Sequence, residues 1–293
     1  MFANYQELSA CLIKQNYFIN DNAALILFLA YKMNKPLLIE GPAGVGKTEL
    51  AKVLAEVTGS TLIRLQCYEG LDEGRALYEW NYQMQLLYLE ARRQNLDWDK
   101  LKEDIYTEEY ILPRPLLKAL RCNEPVVLLI DELDKSDEEF ESFLLELLAE
   151  FQISIPELGT IKAKNKPTVI VTSNNSREFS EALKRRCFYL YLDYPDLERE
   201  MTIIRSKLPG ISEKLATQVT TFVQNLRYFD LKKRPSIVET IDFAQALLIL
   251  NSKEMQVDEV KKALTILLKY QEDVSKIVPK LEQILSKCLE KPR

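Results

Sequence analysis

The sequence predicts an α/β protein, a parallel sheet with helices on both faces, followed by a small all-α domain. Three observations carry this prediction. Short apolar runs alternate with helical stretches between residues 20 and 192, the pattern of successive βαβ units. A glycine-rich turn joins one such run to the helix after it. Beyond Tyr194-Pro195-Asp196 the strand pattern stops, and leucine-rich helices run to Leu289. The expected division is therefore a core over residues 1–195, N-terminal helices included, and a helical domain over 196–293.

Asn20 or Asp21 can cap a first clear helix from Asn22 to Met33. A strand is expected at about 36–40, and it feeds Gly41-Pro42-Ala43-Gly44-Val45-Gly46-Lys47-Thr48, a complete G-x-x-x-x-G-K-[ST] loop. Glu49 to Val57 favours helix. A glycine-rich loop ending at a helix N-terminus points backbone N–H groups and the positive end of the helix dipole at bound phosphates. Lys47 is placed to reach the β- and γ-phosphates of ATP, and the Thr48 hydroxyl to ligate Mg²⁺. The four fixed positions of this motif arise by accident in roughly one chain of this size in a hundred.

A second strand is expected at about 61–67. Tyr78, Trp80, Tyr82 and Tyr88 follow among acidic residues, as either plain core or a surface for a protein partner, and Glu90 to Glu109 reads as a charged helix and loop. Val126-Val127-Leu128-Leu129-Ile130 is a continuous apolar run, as expected of a strand buried on both faces. It ends in Asp131-Glu132, so two carboxylates emerge where open α/β sheets bind ligands. Asp131 suits Mg²⁺, and Glu132 suits activation of the attacking water, which would make the protein a hydrolase. Acidic helix caps also occur at such places; the loop at 41–48 decides for the functional reading.

Ser136 is expected to start a helix in a capping box with Glu139, and Phe140, Phe143, Leu144, Leu147 and Leu148 line one face. Phe151 to Ile155 alternates, Pro156 to Gly159 turns, and Thr160 to Ala163 returns as a hairpin. Strands at about 168–173 and 187–192 complete the sheet. Asn174, at the tip of the first, could orient the water or touch the γ-phosphate. Arg185 and Arg186 end a helix just before the second. They suit either the helix dipole or an arginine finger acting on a neighbouring subunit.

Composition narrows the field. With 293 residues, 47% of them hydrophobic and 28% charged, the chain suits a soluble protein with one large and one smaller domain. The absence of histidine removes His-based triads and most zinc chemistry. Cys11, Cys67, Cys122, Cys187 and Cys288 form no C-x-x-C pair and read as thiols of a reducing cytoplasm. The apolar stretch Ala23 to Tyr31 is too short for a bilayer, and the opening Met1-Phe-Ala-Asn-Tyr-Gln-Glu7 shows neither the basic start nor the apolar core expected of a secretion signal. A net charge of −5 argues against a stand-alone nucleic-acid binder.

In this order the motifs resemble the AAA+ ATPases, P-loop proteins with a small helical lid. The details are similar to the MoxR branch: Leu38 to Thr48, Leu129-Ile-Asp-Glu-Leu-Asp134, the helix ending at Glu150, the hairpin beginning Gln152-Ile-Ser-Ile155, and Thr172-Ser-Asn174. Ala76-Leu-Tyr-Glu-Trp80, Leu183-Lys-Arg-Arg-Cys187, Glu239-Thr-Ile-Asp-Phe243 and Leu267-Leu-Lys-Tyr-Gln271 resemble its CoxD-like subgroup. The resemblance covers about residues 17 to 275. It implies Asn174 as first sensor, Arg186 as finger with Arg185 as its rival, and Gln66 as switch partner of Glu132. The second-sensor arginine is not cleanly matched. Lys232-Lys-Arg234-Pro-Ser supplies Arg234 near the spot, with Pro235 expected to begin the helix after it.

The resemblance further implies a chaperone-like ATPase whose domains close around Mg·ATP. Ring assembly, most simply a hexamer, and a von Willebrand factor A-domain partner come with it. CoxD-like proteins are associated with maturing metal centres of molybdenum hydroxylases; the client itself is not legible here. A DNA-handling AAA+ motor or clamp loader shares the motifs, against the acidic balance. A small-molecule P-loop kinase explains Glu132, Asn174 and the arginine pair less well.

Overall fold

Nine strands, seven of them anticipated, lie along the computed structural model, which describes residues 2–91, 104–156, 158–252 and 254–289. In chain order they are β1 (Leu37–Glu40), β2 (Thr61–Gln66), β3 (Tyr78–Trp80), β4 (Ile111–Pro113), β5 (Val126–Asp131), β6 (Gln152–Ile155), β7 (Gly159–Lys162), β8 (Thr168–Ser173) and β9 (Phe188–Tyr191). Five make one parallel sheet in the order β2-β5-β8-β1-β9. Every residue of β5 and of β1 is buried, so both faces of the sheet centre are covered, as their unbroken apolar runs require. Each fully buried Leu or Ile there contributes about 2 kcal/mol of apolar burial.

The chain divides into two compact units. One comprises Met1–Cys11, Asn20–Glu40 and Lys47–Tyr191; the other comprises Leu12–Ile19, Gly41–Gly46 and Leu192–Arg293. The core of the first is Leu128, Ile130, Val169, Val171, Leu116, Leu120, Leu144 and Leu147 with their neighbours. In the second, helices such as Glu213–Arg227, Ile237–Ile249 and Val257–Leu267 enclose Phe222, Phe243, Leu247 and Leu264. Among the described residues no helix is long and apolar enough to cross a membrane.

Local chemistry sets the ends. Asn20, rather than Asp21, caps the helix Asp21–Met33, accepting from the Ala23 N–H at 2.8 Å. The expected box at Ser136 and Glu139 does not form. Asp137 caps the helix Glu138–Glu150 through the Phe140 N–H, because the Ser136 hydroxyl is already donated to the Leu133 carbonyl, closing a tight turn. A capping box forms instead at Ser236 and Glu239, so Pro235 precedes the cap and does not open that helix. The hairpin forms as β6–β7, and β3 pairs antiparallel with β4.

In the stretch between β2 and β5 the aromatics divide. Tyr78 and Trp80 pack edge to face 5.7 Å apart and against the core, and Tyr88 meets Tyr110. Tyr82 is exposed, as are Met84, Leu86 and Leu87 on the helix Tyr82–Ala91. The central part of the charged stretch expected over 90–109, residues 92–103, lies outside the described residues.

Candidate functional site

The parallel register stacks one polar layer at the carboxyl ends of the strands. Gln66 of β2 stands directly opposite Asp131 of β5, and Thr172 lies one residue past the Ile130–Val171 pair. Period two puts Arg64 on the same sheet face as Gln66. Asp131, only 1% exposed, is consequently crowded with donors. Its Oδ1 accepts from the Thr172 hydroxyl at 2.6 Å and from the Thr48 hydroxyl at 3.0 Å. Its Oδ2 accepts from Arg64 Nε at 3.0 Å and Nη2 at 2.6 Å. The Thr172 hydroxyl oxygen in turn accepts the Glu132 N–H at 2.9 Å.

Glu132 leaves β5 in a left-handed conformation, φ 56° and ψ 49°. That bend frees its carboxylate from the sheet, and two amides hold it. Gln66 Nε2 donates to Oε2 and Asn174 Nδ2 to Oε1, each at 3.1 Å. Asn174 also accepts from Lys47 Nζ at 2.9 Å. Thus Lys47, Asn174, Glu132, Gln66, Arg64, Asp131 and Thr48 form one connected polar chain.

Its electrostatics are those of a cation-demanding site. Burial pulls the Lys47 ammonium below its ordinary value, against the opposing pull of Asp134, Asp131 and Glu132. The neighbouring Cys67 thiol is pushed up to about 12 by burial and by the same three carboxylates. Asp134 is itself held below the usual carboxylate range: burial raises it, but hydrogen bonds from the Ser176 hydroxyl and N–H and from the Asn174 backbone outweigh that. A hydroxyl and a buried carboxylate 3.0 Å apart in this negative setting fit Mg²⁺, which takes oxygen donors and completes its shell with phosphate and water.

The loop Gly41–Gly46 needs its glycines. Gly41 has φ +152°, and a Cβ there would lie 2.0 Å from the Leu192 carbonyl oxygen. Gly44, at φ +76°, would drive a Cβ to 2.6 Å from the Ser236 side chain. Pro42, Ala43 and Val45 complete the loop, and the helix Lys47–Thr58 begins at once, with Glu49 in its first turn.

Arg185 and Arg186 close the helix Glu181–Arg186, and Arg234 lies just before Pro235. Arg185 is exposed at the end of the helix Glu181–Arg186. Arg186 is half-buried: Nη1 donates back to the Ala182 carbonyl at 2.8 Å, and Nε is buried with no hydrogen-bond partner among the described residues. Arg234 is exposed, on the turn before the buried Pro235. Sequence reasoning missed Arg64 and the part played by Thr172. The signal for Arg64 is its spacing, two residues before Gln66 on one strand face.

A family model described as AAA domain (dynein-related subfamily) matches residues 36–187. An uncharacterized protein of Staphylococcus aureus is 29% identical over 235 residues, covering 78% of this chain and 80% of that protein. Its counterpart in another strain is 28% identical over the same length and shares. Among solved structures, a Thermotoga maritima RuvB mutant superposes with a TM-score of 0.52 at 18% identity, covering 92% of this chain and 79% of that one. A second RuvB mutant gives 0.51 at 17% identity, with 97% and 78% covered. At these identities the structures share the fold alone.

Proposed function

This chain belongs to the AAA domain family, dynein-related subfamily, and from that footing we propose a Mg·ATP-hydrolysing machine of the MoxR type, CoxD-like subgroup, that remodels or matures a partner protein. The observation that carries the hydrolytic reading is the grip on Glu132, one carboxylate oxygen on the Gln66 amide and the other on the Asn174 amide. A carboxylate oriented in this way, one amide from the phosphate-binding lysine, suits a base that accepts the proton of an attacking water. Lys47 holds the β- and γ-phosphates. Asn174, touching both Lys47 and Glu132, relates the phosphate to the base. When bound, Mg²⁺ would supply charge neutralisation at the phosphates, with Thr48 and Asp131 as its protein ligands.

In the same reading residues 1–195 act as the core domain and 196–293 as the lid, with Arg234 as second sensor. The chain assembles with copies of itself into a ring, most simply a hexamer. Arg186, with Arg185 as its rival, serves the neighbour's nucleotide. A von Willebrand factor A-domain protein is the partner, maturation of a molybdenum hydroxylase metal centre the task, and the cytoplasm the place. The net charge of −5 weighs against a DNA-handling motor.

The test is a pair of variants. Glu132→Gln should bind ATP while its turnover falls on the order of 10²- to 10⁴-fold, the usual worth of a positioned base. Lys47→Ala should lose binding itself. Near-normal turnover in Glu132→Gln removes the assigned base. Stimulation of ATP turnover by DNA would replace the protein-remodelling reading with the motor reading.

A further inference from the structure

We propose that Arg64 is a resident counter-cation for Asp131 that competes with magnesium and sets the magnesium dependence of nucleotide binding; the proposal rests on the Mg·ATPase reading above. Asp131 is 1% exposed, and a buried carboxylate demands a cation or a full set of donors. The Thr172 and Thr48 hydroxyls reach Oδ1, while Oδ2 is gripped by Arg64 through both Nε and Nη2, with the Thr48 hydroxyl also 3.2 Å away. An acid-rich strand end thus carries its own positive charge on the carboxylate assigned to magnesium.

The guanidinium is well suited to leave. The Arg64 side chain is 47% exposed, so it trades the contact for water at small desolvation cost, on a long stem that swings without moving β2. Asp131, fixed by Thr172 and by β5, stays behind for the metal. Arg64 Nη2 also donates to Gln66 Oε1, and Gln66 Nε2 holds Glu132. Release of Asp131 therefore loosens Arg64 from Gln66, so that magnesium arrival is felt at the water-activating carboxylate. In the metal-free state the same cation lowers the repulsion between Asp131 and bound phosphates.

Two opposed effects follow from removing it. A fluorescent ADP analogue titrated against the whole protein, in EDTA and across a magnesium series, reads both. Arg64→Gln should weaken EDTA-state binding by about three- to tenfold and lower the half-saturating magnesium concentration by a similar factor, in line with a half-exposed, charge-assisted pair. Arg64→Lys, which keeps the charge but loses the two-pronged contact, should fall between. A merely structural role would move neither the midpoint nor the EDTA-state affinity in this crossed pattern. An unchanged or raised magnesium midpoint in Arg64→Gln, with wild-type melting, overturns the proposal while the ATPase reading stands. Should Arg64→Gln not fold, Arg64→Lys decides alone, a lowered midpoint supporting the competition and an unchanged one overturning it. A wild-type protein that binds the analogue in neither condition overturns both readings.

Discussion

Glu132 carries the clearest conflict between stability and chemistry. Its left-handed backbone, φ 56°, costs a side-chain-bearing residue about 1 kcal/mol that glycine does not pay. Glu132→Gly should therefore be more stable than Glu132→Ala by about that amount, the reverse of the usual order outside turns. Urea unfolding of the two variants measures it, and an alanine variant at least as stable would deny the strain. Glu141 makes a different case. It is 3% exposed, accepts from Arg177 at 2.7 Å and from the Ser180 N–H at 2.9 Å, and so fixes the segment that follows β8. Burial raises its carboxyl, but the bonds from Ser180 and Arg177 win and hold it below its ordinary 4.5. A lowered folded-state value means stability fully present above 4.5 and lost as pH falls through the folded value. Glu141→Gln should accordingly flatten the acid limb of a stability-versus-pH curve. At neutral pH Glu141→Ala should cost about 2 kcal/mol, Arg177 being partly able to reach water.

At the scale of elements, the buried cluster behind the helix Ile237–Ile249 is the feature the sequence shows least. Arg227, 6% exposed, grips both oxygens of the fully buried Glu200 at 2.6 Å each, and its Nε donates to the Pro235 carbonyl at 2.9 Å. The Tyr194 ring lies 4.6 Å from its guanidinium. Pro235 precedes Ser236, the cap that Gly44 of the phosphate loop approaches too closely for any larger residue. Arg227→Ala should cost about 3–5 kcal/mol, since Glu200 would be left charged and buried. The double change Glu200→Leu with Arg227→Met should recover most of that loss. Chemical denaturation checks both, and a cost below about 1 kcal/mol for the single variant would mean that water reaches Glu200. The five strands of the parallel sheet, the β6–β7 hairpin and the phosphate loop were legible because period-two and apolar runs are local properties of the chain; β3 and β4, three residues each, were too short to show either pattern. Ion pairs such as Arg227–Glu200 and Arg64–Asp131 were not legible, because register and topology choose the partner. Likewise Ser136 and Asp137 both suit a helix cap, and only the prior turn at Leu133 decides between them.

For the whole molecule, the unfinished business is the positive charge that ATP hydrolysis needs at the transition state. Lys47 donates within this chain to Asn174, whereas Arg185 stands exposed at the end of the helix Glu181–Arg186. Arg186 is instead half-held by its own helix, with a buried Nε that makes no hydrogen bond among the described residues. If it serves the nucleotide of an adjoining copy, Arg186→Ala should keep nucleotide affinity and lose turnover on the order of 10³-fold, as fingers supplied in trans do. Mixing separates this from a local role. Arg186→Ala subunits bring an intact Lys47, and Lys47→Ala subunits bring an intact Arg186, so mixed assemblies should regain activity that neither protein has alone. Sedimentation of the mixture reports whether they form. Formation without recovered activity transfers the role to Arg185 or to no arginine. An active monomer at every protein concentration excludes a shared site, because the arginine would then have to act on the nucleotide of its own chain.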